Sequence, residues 1–170
     1  MGKLSELIER LKKTPMNVGS LKRILPSYAT FKTLDQISEH RSKVFGKHKC
    51  VVMLIPSKFS KMGHYVCLTR FPKYIEYFSS LGGNPSSEVA KLGQNGSNLM
   101  TLLGKNYAYN SKALQQNNTT IEDCALWVMC RLKLSGLKLR EFQGLFTNKI
   151  HLRSPDDIMA MMVILFLTEL

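Results

Sequence analysis

The chain has 170 residues, 44% hydrophobic and 21% charged, which suits one domain with a real core and excludes an unfolded chain. Lysine and arginine number 24 against 12 acids, a formal net charge of +12, and this points to a polyanionic partner, most simply nucleic acid. The four cysteines, 50, 67, 124 and 130, show no C-x-x-C spacing, so neither a zinc site nor a disulfide framework is expected and no metal is assigned.

Residues 3–13 (KLSELIERLKK) place Leu4, Leu7 and Leu11 on one helical face, and Pro15 ends that helix. This start is a charged amphipathic pattern rather than a signal peptide, and with free thiols it predicts a reducing compartment and no secretion. Residues 18–49 are mixed and basic. Within them 34–45 (LDQISEHRSKVF) predict one helix with Leu34, Ile37, Val44 and Phe45 buried. Cys50 to Ile55 is a continuous apolar run of strand length, as a central strand buried on both faces requires. His64 to Arg70 predicts a second strand after a loop, and Tyr74 to Leu81 a third, its hairpin partner. Gly82-Gly83-Asn84-Pro85 breaks the chain. Residues 86–103 predict a helix interrupted by Gly93 and Gly96, and Tyr107 to Tyr109 a further short strand.

Residues 114–134 (LQQNNTTIEDCALWVMCRLKL) read as a polar loop running into a helix. Thr119-x-x-Glu122 and Thr120-x-x-Asp123 both fit a capping box, so the helix should start near Asp123 with Cys124 in its first turn. A thiol there faces free backbone N–H groups and the positive end of the helix dipole, which favour thiolate. A buried, inert cysteine is the alternative. Trp127, Met129, Cys130 and Cys67 read as core. Gly136 ends the helix, Leu139 to Phe146 forms a short one, and Ser154-Pro155-Asp156-Asp157 opens a last helix, Ile158 to Leu167, apolar nearly all round and expected to be largely buried. Its MMVILFL run is too short to span a bilayer. The order of elements predicts an α+β single domain, a central mixed β-sheet flanked by helices.

A cysteine nucleophile needs a base. His40 and His48 lie in basic surface segments and His151 in a loop beside Arg153. His64 opens a strand directly after Gly63, at a sheet end where imidazole can face a helix amino terminus.

Four segments, in order, resemble the adenovirus-protease and SUMO-protease superfamily of cysteine proteases. Gly63-His64-Tyr65-Val66 is similar to the Gly-His-Trp motif of the catalytic histidine. Tyr77-Phe78-Ser79-Ser80-Leu81-Gly82 resembles Tyr-Phe-Asp-Ser-Phe-Gly. Tyr109-Asn110 through Leu114-Gln115 resembles the segment of the oxyanion-hole glutamine, and Asp123-Cys124-Ala125-Leu126-Trp127 the nucleophile motif. Arg131-Leu132 and Ser154-Pro155-Asp156-Asp157 are similar to the branch found in virophages, polintons and large DNA viruses.

The resemblance implies a papain-like, adenain-type arrangement: one domain over 1–170, an N-terminal helical part (1–49) and a catalytic core (50–170), with the nucleophile at the start of a central helix. It implies Cys124 as nucleophile, His64 as base and Gln115 as oxyanion donor, with Gln116 and then Asn118 as alternatives. Ser79 stands where the family has Asp, Glu or Asn, so a Cys–His dyad is expected, with Ser79 or water orienting the ring. Glu76 should face the other side of that strand. Ala125 replaces the usual glycine. The implied activity is a thiol endopeptidase of a double-stranded DNA virus or virophage that processes capsid or other structural proteins during virion maturation, in the host cytoplasm (virus factory) and the virion. No cofactor is required on this reading. DNA is a candidate activator, double-stranded DNA a candidate partner, and no membrane contact is expected. A protease for SUMO or ubiquitin-like proteins, and an inactive DNA- or capsid-binding protein of the same fold, stay open.

Overall fold

Three of the five strands match the strands read at 50–55, 64–70 and 74–81, and their residues are buried almost throughout. The computed structural model describes residues 2–116, 123–147 and 153–168. Strands β1 (Ala29–Thr33), β2 (Cys50–Ile55), β3 (His64–Arg70), β4 (Ile75–Ser79) and β5 (Tyr107–Tyr109) form one sheet in sequence order. β1 runs parallel to β2, β2–β3–β4 form an antiparallel meander, and β5 runs parallel to β4. The sheet is therefore mixed.

Strand alternation sends side chains to two cores. Cys50, Val52, Tyr65, Cys67 and Phe78 face one side, against α6 (Cys124–Lys133), α7 (Leu139–Thr147) and α8 (Pro155–Thr168). Val51, Met53, Ile55, Val66, Leu68, Ile75 and Tyr77 face the other, with Val89 of α4 (Pro85–Lys91) and Leu99, Leu102 and Leu103 of α5 (Ser97–Leu103). Helix α1 (Lys3–Lys13) lies on α8, and Lys12 joins them by donating to Asp157 at 2.6 Å. The domain is α+β, with helices on both faces of the sheet.

Several local readings change. The 34–45 segment is not one helix. Leu34–Gln36 is a 3-10 turn closed by a Thr33/Gln36 capping box, Ile37 turns extended (φ −80°, ψ 121°), and α3 (Arg41–Phe45) starts after it. Leu34, Ile37, Val44 and Phe45 are nevertheless all buried, because the break aims Ile37 inward. The mixed stretch before it holds α2 (Val18–Ile24) and β1. Helix α8 buries Met159, Ala160 and Val163 but leaves Leu165 (61%) and Leu167 (46%) exposed, since only one of its faces meets α6 and α1. Among the described residues no helix is long and apolar enough to cross a membrane.

Candidate active site

The amino end of β3, the carboxyl end of β4 and the first turn of α6 converge. His64 is the first residue of β3 and is 7% exposed. Gly63 before it has no room for a side chain, because an added Cβ would lie 2.7 Å from Leu54 and 2.8 Å from the Ile55 carbonyl. Glycine there lets the loop return tightly onto β2, and this sets His64 at the sheet end. The ring Nε2 meets Ser79 Oγ, the last residue of β4, at 2.9 Å.

Cys124 is the first residue of α6, with Asp123 at N-cap. Its thiol is half-buried and lies against the backbone N–H of Tyr65, the residue after His64. Burial pushes the Cys124 thiol up and Asp123 adds to this, while the N–H groups of Tyr65, Ala125 and Cys124 itself pull it back. Burial also pushes His64 down to about 4. Both shifts oppose a thiolate–imidazolium pair and favour the neutral form of each group. This reverses the thiolate expectation: desolvation outweighs the helix end. Cys50 is the thiol pulled down, to about 7, first by a hydrogen bond with Cys67, but it is fully buried.

The oxyanion candidates separate clearly. Gln115 is buried, its side-chain Oε1 accepts from Ser80 Oγ at 2.6 Å, and its backbone N–H donates to the Ser80 carbonyl at 3.0 Å. Gln116 is exposed, and its backbone N–H donates to Asp156 at 3.0 Å. Asn118, the capping-box residues Thr119, Thr120 and Glu122, and His151 lie outside the described residues. Asn110 fastens the loop that carries Gln115: its Oδ1 accepts from the Ser79 N–H at 3.0 Å and its Nδ2 donates to the Ser79 and Lys112 carbonyls. Trp127 is core, donating to Asp156 at 2.9 Å, and Cys67, Met129 and Cys130 are buried as read. Glu76 faces away from His64, and its carboxylate accepts from Arg131. His40 is exposed beside Glu39, and His48 meets the Ser27 carbonyl at 3.2 Å.

No family model matches the chain. It is 25% identical over 155 residues to an uncharacterised protein, V9, of Sputnik virophage, covering 83% of this chain and 84% of that protein. Among solved structures it is similar to the C-terminal Ulp1 protease domain in complex with Smt3, the yeast orthologue of SUMO, at 16% identity and a TM-score of 0.40, covering 96% of this chain and 75% of that one.

Two acids complete the surroundings: Glu88, which the sequence reading passes over, and Asp123, which it reads only as a helix start and motif residue. Glu88, in the first turn of α4, accepts from Ser79 Oγ at 2.6 Å and from the Tyr77 hydroxyl at 2.6 Å. Asp123 is fully buried, and among the described residues neither of its carboxyl oxygens has a hydrogen-bond partner. Burial, and then the nearby Asp156, push Asp123 up to about 8. Asp123 is therefore largely protonated at neutral pH, and its charge bears on Cys124 only as it ionises near pH 8.

A raised carboxyl pKa means that the folded chain keeps a proton the unfolded chain has already released, so stability falls as pH rises toward 8 and levels above it. His64, shifted down from 6.5, acts only below that pH, and Cys50, pulled down to about 7, contributes an opposite change that is the same in both proteins, so the comparison with Asp123→Asn isolates Asp123. Between pH 6.5 and 8 the wild type should lose about 2 kcal/mol through Asp123, roughly 4–8 °C in melting temperature. Asp123→Asn should abolish that loss. Thermal melts across this interval check it, and parallel curves for the two proteins would refute it.

Proposed function

We propose that this chain is a cysteine endopeptidase with Cys124 as nucleophile and His64 as base. The observation that carries the reading is the Cys124 thiol at the start of α6, set against Tyr65 N–H, one residue from an imidazole whose Nε2 is already held by Ser79. Since both groups favour their neutral forms, the Cys124 proton passes to His64 Nδ1 as sulfur attacks the scissile carbonyl. The carbonyl oxygen gains the negative charge and is met by the Cys124 backbone N–H and the Gln115 side-chain amide, whose Oε1 is turned away toward Ser80. The C–N bond breaks as His64 returns its proton to the leaving amine. Water, activated by the same ring, then cleaves the thioester.

The substrate class we favour is capsid or other structural protein of a double-stranded DNA virus or virophage, processed in the host cell and virion. Its support is the motif resemblance together with the similarity to a virophage protein. DNA is the proposed activator, through the +12 charge and an open groove of about 510 Å³ lined by Arg41 and Arg70. A rate that rises with DNA, and loses the rise as salt increases, is the expected signature.

The deciding experiment pairs hydrolysis of a peptide library with iodoacetamide labelling of Cys124 followed by mass spectrometry. His64→Ala should slow peptide hydrolysis by a factor on the order of 10³ and Cys124→Ala should abolish it. Labelling of Cys124 near pH 7.5 should fall at least about tenfold in His64→Ala, with Cys130 as the unreactive internal control. Labelling unchanged by His64→Ala, with no peptide cleaved, leaves the chain without a working dyad and turns the search to DNA or capsid binding.

A further inference from the structure

The charge that Ser79 cannot supply lies one hydrogen bond further on. A serine hydroxyl has a single proton, and that of Ser79 goes to Glu88 Oε1 at 2.6 Å. Tyr77 donates to Oε2 of the same carboxyl at 2.6 Å, so both oxygens act as acceptors. With its proton committed, Ser79 Oγ is an acceptor toward His64 Nε2, 2.9 Å away. We infer that Glu88 is a positioning residue for His64: acting through Ser79, it keeps the ring proton on Nε2 and leaves Nδ1 bare to take the proton of Cys124. This rests on reading Cys124 and His64 as nucleophile and base.

The fold builds the relay deliberately. Gly82 and Gly83, both with positive φ (65° and 130°), turn the chain back from β4, and Asn84 caps α4 by accepting from the Ser86 N–H. Glu88 then falls in the first turn of α4, where the helix dipole favours a carboxylate. It is 8% exposed. Burial pushes it upward, and the hydrogen bonds from Ser79 and Tyr77 draw it back toward the ionised form. The neutral state of His64 fits, since only a neutral ring has a tautomer to choose. In serine proteases an acid does the same job by direct contact with the ring, and a partner that imposes the wrong tautomer is severely damaging. Here the acid is moved back one residue and a hydroxyl carries its preference.

Glu88→Leu removes the acceptor. The Ser79 proton then has His64 Nε2 as its available acceptor, and the ring proton shifts to Nδ1, where it blocks the base. The double variant S79D/E88Q puts a carboxylate directly on Nε2 with an amide that donates to it, so it should restore the original tautomer. The tautomer is read from long-range ¹H–¹⁵N spectra of the imidazole, and reactivity from Cys124 alkylation.

Wild type should carry its ring proton on Nε2. Glu88→Leu should move it to Nδ1 and slow alkylation by a factor on the order of 10². S79D/E88Q should recover both. A wild-type ring protonated on Nδ1 overturns the role of Glu88 without any variant, and so does a Glu88→Leu protein that keeps the Nε2 proton and the wild-type rate. Alkylation indifferent to His64→Ala defeats the nucleophile–base reading instead, and the tautomer measurement still decides the place of Glu88.

Discussion

Arg131→Met is expected to cost about 3–5 kcal/mol and to lower the melting temperature by about 10 °C. Arg131 is fully buried in the last turn of α6, and its Nε and Nη2 both reach Glu76 Oε1 at 2.8 Å. Nη1 donates to the Leu134 carbonyl at 2.8 Å, and Nη2 also donates to the Leu137 carbonyl at 3.0 Å, where α6 ends. The guanidinium also lies over the Phe142 ring, 5.1 Å from its centre. One side chain thus ties β4, the end of α6, the turn after it and α7. Methionine fills much of the volume, so the expected loss is electrostatic: Glu76, 1% exposed, keeps a charge with no partner, and two helix-end carbonyls lose donors. Replacing both partners with apolar residues should recover most of the loss, leaving only the cost of the two carbonyls. Urea melts of the two single variants and the double decide this. An Arg131→Met protein within about 1 kcal/mol of wild type would show that the pair contributes little.

That pair illustrates which features the sequence revealed. β2 was readable because a strand buried on both faces leaves a continuous apolar run, β3 and β4 because two strand-like segments flank a short turn, and α6 because a polar loop stops abruptly at Asp123. Edge strand β1 (ATFKT) was not, since four of its five residues are only half-buried and no period of two emerges. The Cys124, His64 and Ser79 positions followed from motif likeness and strand ends. The protonation of the site did not, because burial is a property of the packed whole: the same helix start that favours thiolate lies where desolvation prevails. Glu88 was hidden for a different reason. It is nine residues beyond Ser79, and only the Gly82-Gly83 turn brings it back. The legible signal was a lone acid in the first turn of the helix that follows directly from the strand holding Ser79.

Gly82→Ala should separate the two halves of the proposed chemistry. Gly82 has φ 65°, and an added Cβ would overlap the Lys112 carbonyl carbon and the Ala113 nitrogen. These are backbone atoms, so no side-chain rotation relieves the overlap and the loop itself must move. That loop is held against the end of β4 through Asn110, and through the N–H groups of Leu114 and Gln115 on the Ser80 carbonyl, so displacing it displaces Gln115. Strain and lost hydrogen bonds should lower stability by about 2 kcal/mol or more. Loss of an oxyanion donor should lower peptide hydrolysis by a factor on the order of 10²–10³. Alkylation of Cys124 by iodoacetamide forms no tetrahedral oxyanion, so it should fall much less than hydrolysis, and only as far as the strained turn also displaces Glu88. Gln115→Ala should reproduce the loss of hydrolysis with much less loss of stability, because its backbone hydrogen bond to Ser80 survives. If Gly82→Ala hydrolyses peptide at the wild-type rate, the loop has room to shift without moving Gln115, and oxyanion stabilisation does not depend on this contact. If alkylation and hydrolysis fall together while the His64 ring keeps its wild-type tautomer, Glu88 is still in place, Gly82 is acting on Cys124 or His64, and the division of the site into a nucleophile half and an oxyanion half is wrong.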